Sequence, residues 1–599
     1  MYNTGSEPTD EGANVRKPLV EAARGDRPLD LVIRGGTLAN VYTGELYPAD
    51  VGIYGDRIAV VDRHGEHGLT ADRVIDARGL TIVPGLIDCH VHIESTMVTP
   101  PSYARAVLPL GTTTIVIDPH EIGNVMGKAG VEYMLQASEG LPLRVYLTIP
   151  SSVPAVPSIE TAGASFDASD IAEMLTWDRV VGVAELMDYP GIVRQSDRMA
   201  GIAEAGLAAG KNLEGHAPLL TGRELNAYLA AGVDSDHESR EWPEMVEKLR
   251  LGMWVYGREN TFRHGIKDLV DALGEVPNAV SIAMCTDDID PDDLLRNGQL
   301  DRGLRKLIAG GIDPVLAVRY ATLNGAQRYG LRDLGAVAPG KLADIVLVES
   351  LAEFRPAHVL VGGQTVVENG RLVARIEDPV PPPLGNSMRL QSLGVDDFVL
   401  KHEGAQGDVP VNVMAIDPKR TTTLLQTTVR FDRGRIQLPL PDDLVLLSVV
   451  PRHGQTHRPS LALVKGLGLR RGAIATTIAH DSHNLIVAGR TPEDMLAAVR
   501  AVAEVGGGVA LVADGQTLAY VRLPVAGLMS AESVEWVASE VRFFNEQARE
   551  LGLGKESSVL VLSPVLAISS LALPVSPFVR LTDLGLADTI SQELVEIFP

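Results

Sequence analysis

From Leu29 to Val83, short apolar runs alternate with polar residues and glycines (LVIRGG, DVGIYGDRIAVVD, RVIDARGLTIV), the grammar of a small antiparallel sheet. The same grammar returns between residues 337 and 375 (VAPGKLADIVLVES, HVLVGGQTVVENGRLV). Two half-sheets flanking a long insert predict one small β-sandwich-like domain, assembled from residues 28–83 and 336–375. Within the insert, short apolar strands alternate with amphipathic helical stretches such as Met199 to Ala209 and Asp292 to Ala309, a βαβα rhythm that predicts a parallel sheet covered by helices. The candidate strands are LIDCHVH, TTTIVID, LRVYLTI, VVGVAEL, NLEGHA, GVDSDH, GMWVYGR and AVSIAMCTD. Their number and the length of the segment predict a (β/α)8 TIM-type barrel over residues 84–335, and an α/β class for the chain.

Residues 376–386 (IEDPVPPPLGN) have the composition of a semi-rigid linker. Beyond it, residues 387–599 mix strands (DLVLLSVV, GGVALVADG) with helices (PEDMLAAVRAVAEV, AESVEWVASEVRFFNEQAREL) and predict a C-terminal α+β domain. Residues 1–27 are polar and hold no apolar run, which predicts a mobile tail and no signal peptide. The most apolar stretch, Val559 to Val579, is broken by Pro564, Pro574 and Pro577. It reads as core strand and loop, because a membrane helix so interrupted would leave backbone groups unpaired.

Composition narrows the function classes. The chain has 599 residues, 45% hydrophobic and 22% charged, which is globular usage spread over more than one core. Against 53 Lys and Arg stand 77 Asp and Glu, a formal charge of -24. Such a surface repels phosphate backbones and anionic headgroups, so neither nucleic acid nor membrane is expected as a partner. Cys89 and Cys285 are the 2 cysteines; without a CxxC pair, a disulfide framework and thiolate zinc sites are excluded and a cytoplasmic setting is expected.

The candidate chemistry lies at strand ends. His90 and His92 are two apart in LIDCHVH, so on a strand both point to one side, as two imidazoles holding one ion must. By itself an HxH pair is a weak signal. Reading the other candidate strands to their C-terminal ends adds Glu121 just beyond the second, Glu185 on the fourth, His216 on the fifth, His237 on the sixth and Asp287 on the eighth. In a (β/α) barrel that rim is where catalytic groups gather. Four histidines with two or three carboxylates exceed what one catalytic ion takes, and Glu185 as a bridge would let them hold two divalent ions. Nitrogen and oxygen donors suit manganese(II), iron(II), zinc or cobalt. Two cations flanking one water supply hydroxide at neutral pH.

The combination of PGLIDCHVH after a small β-domain, single histidines on the fifth and sixth strands, an aspartate on the eighth and the closing PGKLADIVLV resembles the amidohydrolase superfamily over residues 29 to 375. Many of its members carry a carboxylated lysine on the fourth strand, where this chain has Glu185, and that departure weakens any dihydroorotase, hydantoinase or urease-like reading. Within the superfamily, DPHEIGNV, VAELMDYPGI, GHAP, SDHES and CTDDIDPDDL are similar to the barrel motifs of adenine deaminases. AHDSHNLIVAG and LALPVSPFVRLTDLGL look like their C-terminal domain.

The resemblance implies conversion of adenine to hypoxanthine and ammonia in purine salvage, manganese foremost among the metals, with iron(II) or zinc as alternatives, and a homodimer or larger homo-oligomer. It implies a metal-bridged hydroxide attacking the amine-bearing ring carbon. Asp287 is then the group that accepts the hydroxide's proton and hands it to the leaving nitrogen. Glu121 is either a protonated donor to a ring nitrogen or a further metal ligand. Asp288 is either a hydrogen-bond acceptor for the purine or a helix N-cap or loop aspartate. Arg258, at the end of the seventh strand, is a substrate contact or a surface salt bridge, and His120 a partner behind the ligands or a loop histidine.

His480 and His483, with Asp481, are too few for a metal centre of their own; their loop is expected to fold over the barrel mouth and exclude water. Two rival readings remain open: an amidohydrolase cleaving an amide, like an N-acetyl-sugar deacetylase, and a catalytically inactive amidohydrolase-like scaffold.

Overall fold

A computed structural model describes residues 10–63, 65–417, 421–441, 443–554 and 563–599. Residues 1–9 of the expected mobile tail, and 559–562 of the apolar stretch, lie outside them.

All eight candidate barrel strands form: β1 (Leu86–Val91), β2 (Thr112–Ile117), β3 (Arg144–Ile149), β4 (Val180–Leu186), β5 (Asn212–Gly215), β6 (Ser235–Asp236), β7 (Trp254–Arg258) and β8 (Ile282–Cys285). Every pairing among them is parallel, β1 to β5 forming one array and β6 to β8 another. Most of their residues are buried on both faces, as parallel strands under helices must be. The ring closes between β8 and β1, where Asp287 pairs with Val91 and its amide donates to the His90 carbonyl at 2.9 Å. Between β5 and β6 a side chain does the joining, the Ser235 hydroxyl accepting from the Gly215 amide at 3.1 Å. A Cβ on Gly215 would lie 2.0 Å from the Ser235 carbonyl oxygen, so only glycine permits this approach. The arrangement is TIM-barrel-like.

The two flanks form one hydrogen-bonded sheet of nine strands instead of two stacked half-sheets. Its seam is the antiparallel pairing of Thr81–Pro84 with Ile345–Val348, Pro84 opposite Ile345 and Thr81 opposite Val348. A helix, Asp10–Ala23, packs on this sheet, with Leu19 and Ala22 buried against Leu29, Val32 and Ala59. That corrects the expectation of a mobile tail over its second half: two small apolar side chains, spaced for one helical face, find a docking surface.

After an irregular run over residues 376–386, another nine-stranded sheet spans Gly407–Ile416 to Gln516–Arg522. Its pairings are antiparallel save one, between Gly407–Ile416 and Ser460–Lys465. The helices Pro492–Glu504 and Val534–Glu550 bury apolar faces nearby. A small sheet of Val579–Thr582, Gly585–Asp588 and Glu593–Leu594 completes the chain.

Backbone and side chains join this unit to the barrel. Thr99 and Ser530 are linked through the Thr99 amide and Ser530 carbonyl (3.1 Å), Ser530 in turn donating to the Met97 carbonyl (2.9 Å). Asp583 accepts from the Thr161 amide at 2.9 Å and from the Thr161 hydroxyl, and Asn484 donates to the Thr161 carbonyl at 2.7 Å. Among the described residues, no helix is long and apolar enough to cross a membrane. The stretch from Ser563 onward, expected as core strand and loop, is two short helical turns, Pro564–Ala567 and Ser569–Ala572, before the strand at Val579.

Candidate metal centre and its cavity

The period of two along β1 turns His90 and His92 to one side, and their Nε2 atoms approach to 3.1 Å. His92 spends its Nδ1 proton on the Asp118 carbonyl at 2.9 Å, which fixes the tautomer and leaves Nε2 as the free lone pair. Asp287, just past β8, holds the left-handed conformation with φ 60°, pinned by backbone bonds to His90 and His92. Its Oδ1 lies 3.1 Å from His92 Nε2 and 3.6 Å from His90 Nε2.

Glu185, at the end of β4, stands between two sets of imidazoles. Oε1 is 3.4 Å from His92 Nε2 and 3.6 Å from both His90 Nε2 and His120 Nδ1; Oε2 is 2.5 Å from His216 Nδ1 and 3.2 Å from His237 Nε2. Burial pushes its carboxyl up, but His216, His237 and His92 outweigh burial and hold it well below the usual carboxylate range. Asp287 is likewise held well down against burial, by Arg258, His90 and His92. Imidazole lone pairs gathered round two ionised carboxylates are what a divalent cation binds. Among the described residues, buried His237 Nε2, both ring nitrogens of His120 and Asp118 Oδ2 have no hydrogen-bond partner. Groups of three or four donor atoms lie close enough to share an ion: His90, His92 and Asp287; His90, Glu185 and His237; and His92, Asp118, His120 and Glu185. The donors fit divalent metal ions.

A cavity of about 470 Å³ opens over this cluster. From the barrel it is lined by His92, His120, Glu185, His216, Asp287 and Asp288, and by Glu238, Arg258 and Asn260. Its far wall comes from the C-terminal unit: Ile416, Thr422, His480, Asp481, Arg580 and the turns from Ser563 to Ser576. Of the HDSH loop, His480 and Asp481 face this cavity.

Residues 81–366 match the amidohydrolase family and residues 419–593 match the adenine deaminase C-terminal domain. The chain is 42% identical to adenine deaminase 2 of Rhizobium meliloti (strain 1021), over 98% of this chain and 97% of the relative. It is 40% identical to the adenine deaminase of Desulfatibacillum aliphaticivorans, over 97% of this chain and 99% of the relative. The chain belongs to the adenine deaminase family.

Within this adenine deaminase family member the less certain sequence assignments find definite places. Arg258 is no surface ion pair: only 11% of its side chain is exposed and its guanidinium is shared between Glu238 and Asp287, because β7 delivers it under the rim beside two acids. His120 is no loop histidine either; the first turn after β2 sets it 3.6 Å from Glu185 and 3.2 Å from Asp118. Asp288 lines the cavity, and the helix cap foreseen as its alternative belongs to Asp290, which accepts from the Asp292 and Asp293 amides.

Glu121 stands off the cavity wall. The single Ser95 hydroxyl proton is shared between two carboxylates, Glu121 Oε1 at 2.9 Å and Asp288 Oδ1 at 2.5 Å. Burial raises the Glu121 carboxyl, with His480 opposing. Direct proton delivery from Glu121 to a ring nitrogen is therefore not what this geometry offers, since a serine and an aspartate intervene.

Asp118, Glu238, Asn260 and Ser95 were missed from sequence. Asp118 repeats in DPHE the two-residue spacing of the HxH pair, and Glu238 follows a ligand histidine. Both signals were present. Nothing in the local pattern announces Ser95 or the wall from Ser563 to Arg580.

Proposed function

We propose that this chain hydrolyses adenine to hypoxanthine and ammonia, a reading supported by its relatives' names as adenine deaminases. The observation that carries the reading is Glu185 with its two oxygens turned to separate groups of histidines on the floor of a cavity that admits a purine. His90, His92 and Asp287 would hold one divalent ion and His216 and His237 a second, with Glu185 between them; manganese(II) is the first choice, iron(II) or zinc the alternatives. Such ions supply Lewis-acid charge and lower the pKa of a water at the site.

The chain's own groups do the rest. Asp287 has its Oδ2 held by Arg258 and by Asn260 Nδ2 at 3.1 Å, which leaves Oδ1 to take the proton of the attacking water and pass it to the departing exocyclic nitrogen. Asp288, oriented by Ser95, faces the purine edge, and Glu121 supports that serine from behind. Arg258 fixes Asp287 and so is a positioning residue. The loop carrying His480 and Asp481 closes the cavity against bulk water.

The same proposal takes the eight strands as one closed (β/α)8 barrel between the composite sheet and the C-terminal α+β unit, working in the cytoplasm as a homodimer or larger homo-oligomer. Manganese-loaded protein incubated with adenine should release ammonia and hypoxanthine in equal amounts. Turnover of an N-acetyl amide with adenine untouched would refute the assignment.

A further inference from the structure

Glu121 belongs to a second cluster, built across the boundary between barrel and C-terminal unit. Its Oε2 faces His483 Nε2 at 3.6 Å and its Oε1 faces His480 Nδ1 at 4.0 Å. One donor atom from each of Glu121, His480 and His483 falls within the span of a single ion. Glu121 and His483 side chains are 1% and 0% exposed, and among the described residues Glu121 Oε2 and His483 Nε2 have no hydrogen-bond partner. Leaving two such atoms buried and facing each other is costly. Ser95 holds Oε1 of the glutamate, and the Ala479 amide donates to His483 Nδ1 at 3.3 Å, a contact that an ion on Nε2 releases as the ring proton moves to Nδ1. Fully buried Arg452 grips the loop through the His483 carbonyl. His480, with 12% of its side chain exposed, lies on the cavity wall, so one side of the cluster is open to water.

We propose that Glu121, His480 and His483 form a further cation site, separate from the centre around Glu185, that takes a divalent transition ion of zinc or manganese type and staples the C-terminal unit onto the barrel. Two imidazoles, one carboxylate and an open position suit such an ion. In sequence the two histidines alone were too few; the fold supplies the third ligand from the first turn after β2.

Apoprotein, prepared with a chelator, should be titrated with zinc and its bound ions counted by elemental analysis, for the wild type and for His483→Gln, His480→Gln and Glu185→Gln. Each histidine variant should hold one ion fewer than the wild type, and Glu185→Gln should lose ions while keeping the one the histidine variants lack. Zinc should raise the melting temperature of the wild type more than that of His480→Gln, the variant at the more exposed position and so the one that folding defects touch least. Equal zinc counts in the wild type and both histidine variants would overturn the site. That result would leave the deaminase reading intact, since the latter depends on Glu185 and on ammonia release.

Discussion

A single carboxylate organises the chemistry at the residue scale. Asp287 is bonded through its backbone to both histidines of β1 and through its side chain to Arg258 and Asn260, so Asp287→Asn keeps the shape but removes the proposed base. The expected outcome is a fall in kcat of about 10³-fold or more with the circular dichroism spectrum unchanged. His453 offers a test of a different kind. Burial, with Arg452 adding to it, pushes its imidazole down to about 3, while its Nε2 faces the Ser482 carbonyl at 2.8 Å. In the unfolded chain the group titrates near its ordinary value of 6.5. Between those values the unfolded state binds the extra proton. The stability that neutral His453 contributes is therefore complete above pH 6.5 and lost as pH falls toward 3, at up to about 1.4 kcal/mol per pH unit. Urea midpoints measured across that range should fall less steeply in His453→Gln than in the wild type.

Elements explain why so much of the site could be read from sequence. A strand presents every second residue to one side, and a parallel barrel brings all strand ends to one rim, so His90, His92, Glu185, His216, His237 and Asp287 could be placed together from periodicity alone. What failed was information that is not periodic. Ser95 lies in the single helical turn Glu94–Thr96 after β1, and the helix Asp10–Ala23, with Pro18 inside it, had no strong apolar face to announce it. The same scale holds a buried ionic device beneath the ligands. Lys248, on the helix Trp242–Arg250, reaches Asp236 at 2.9 Å and Glu244 at 2.6 Å with no exposed side-chain surface, and Asp236 also accepts from the Ala217 amide beside His216. Lys248→Met leaves two acids buried without their cation. It should cost about 3–5 kcal/mol in chemical unfolding and lower the affinity for metal, because the strand ends carrying His216 and His237 lose their brace.

For the molecule as a whole, the far wall of the cavity could not be foreseen, since Thr422, His480 and Arg580 reach it from three places in a domain folded on its own sheet. Metal ligands in the native state, absent as a set from the unfolded chain, couple binding to folding. Removing ions with a chelator should lower the melting temperature, and adding manganese at about a hundred times its dissociation constant should restore roughly 2.7 kcal/mol. Differential scanning calorimetry measures both directions.

The last wall residue, Arg580, comes 293 positions after Asp287, the last of the candidate ligands on the barrel rim. A ribosome therefore finishes the entire barrel, and most of the unit after it, before the pocket has its lid. A nascent barrel carries its ligand histidines but no enclosed chamber, and the same holds for any copy clipped upstream of Val579. Messages cut short before Val579, or proteolysis there, would yield ion-binding but inactive fragments.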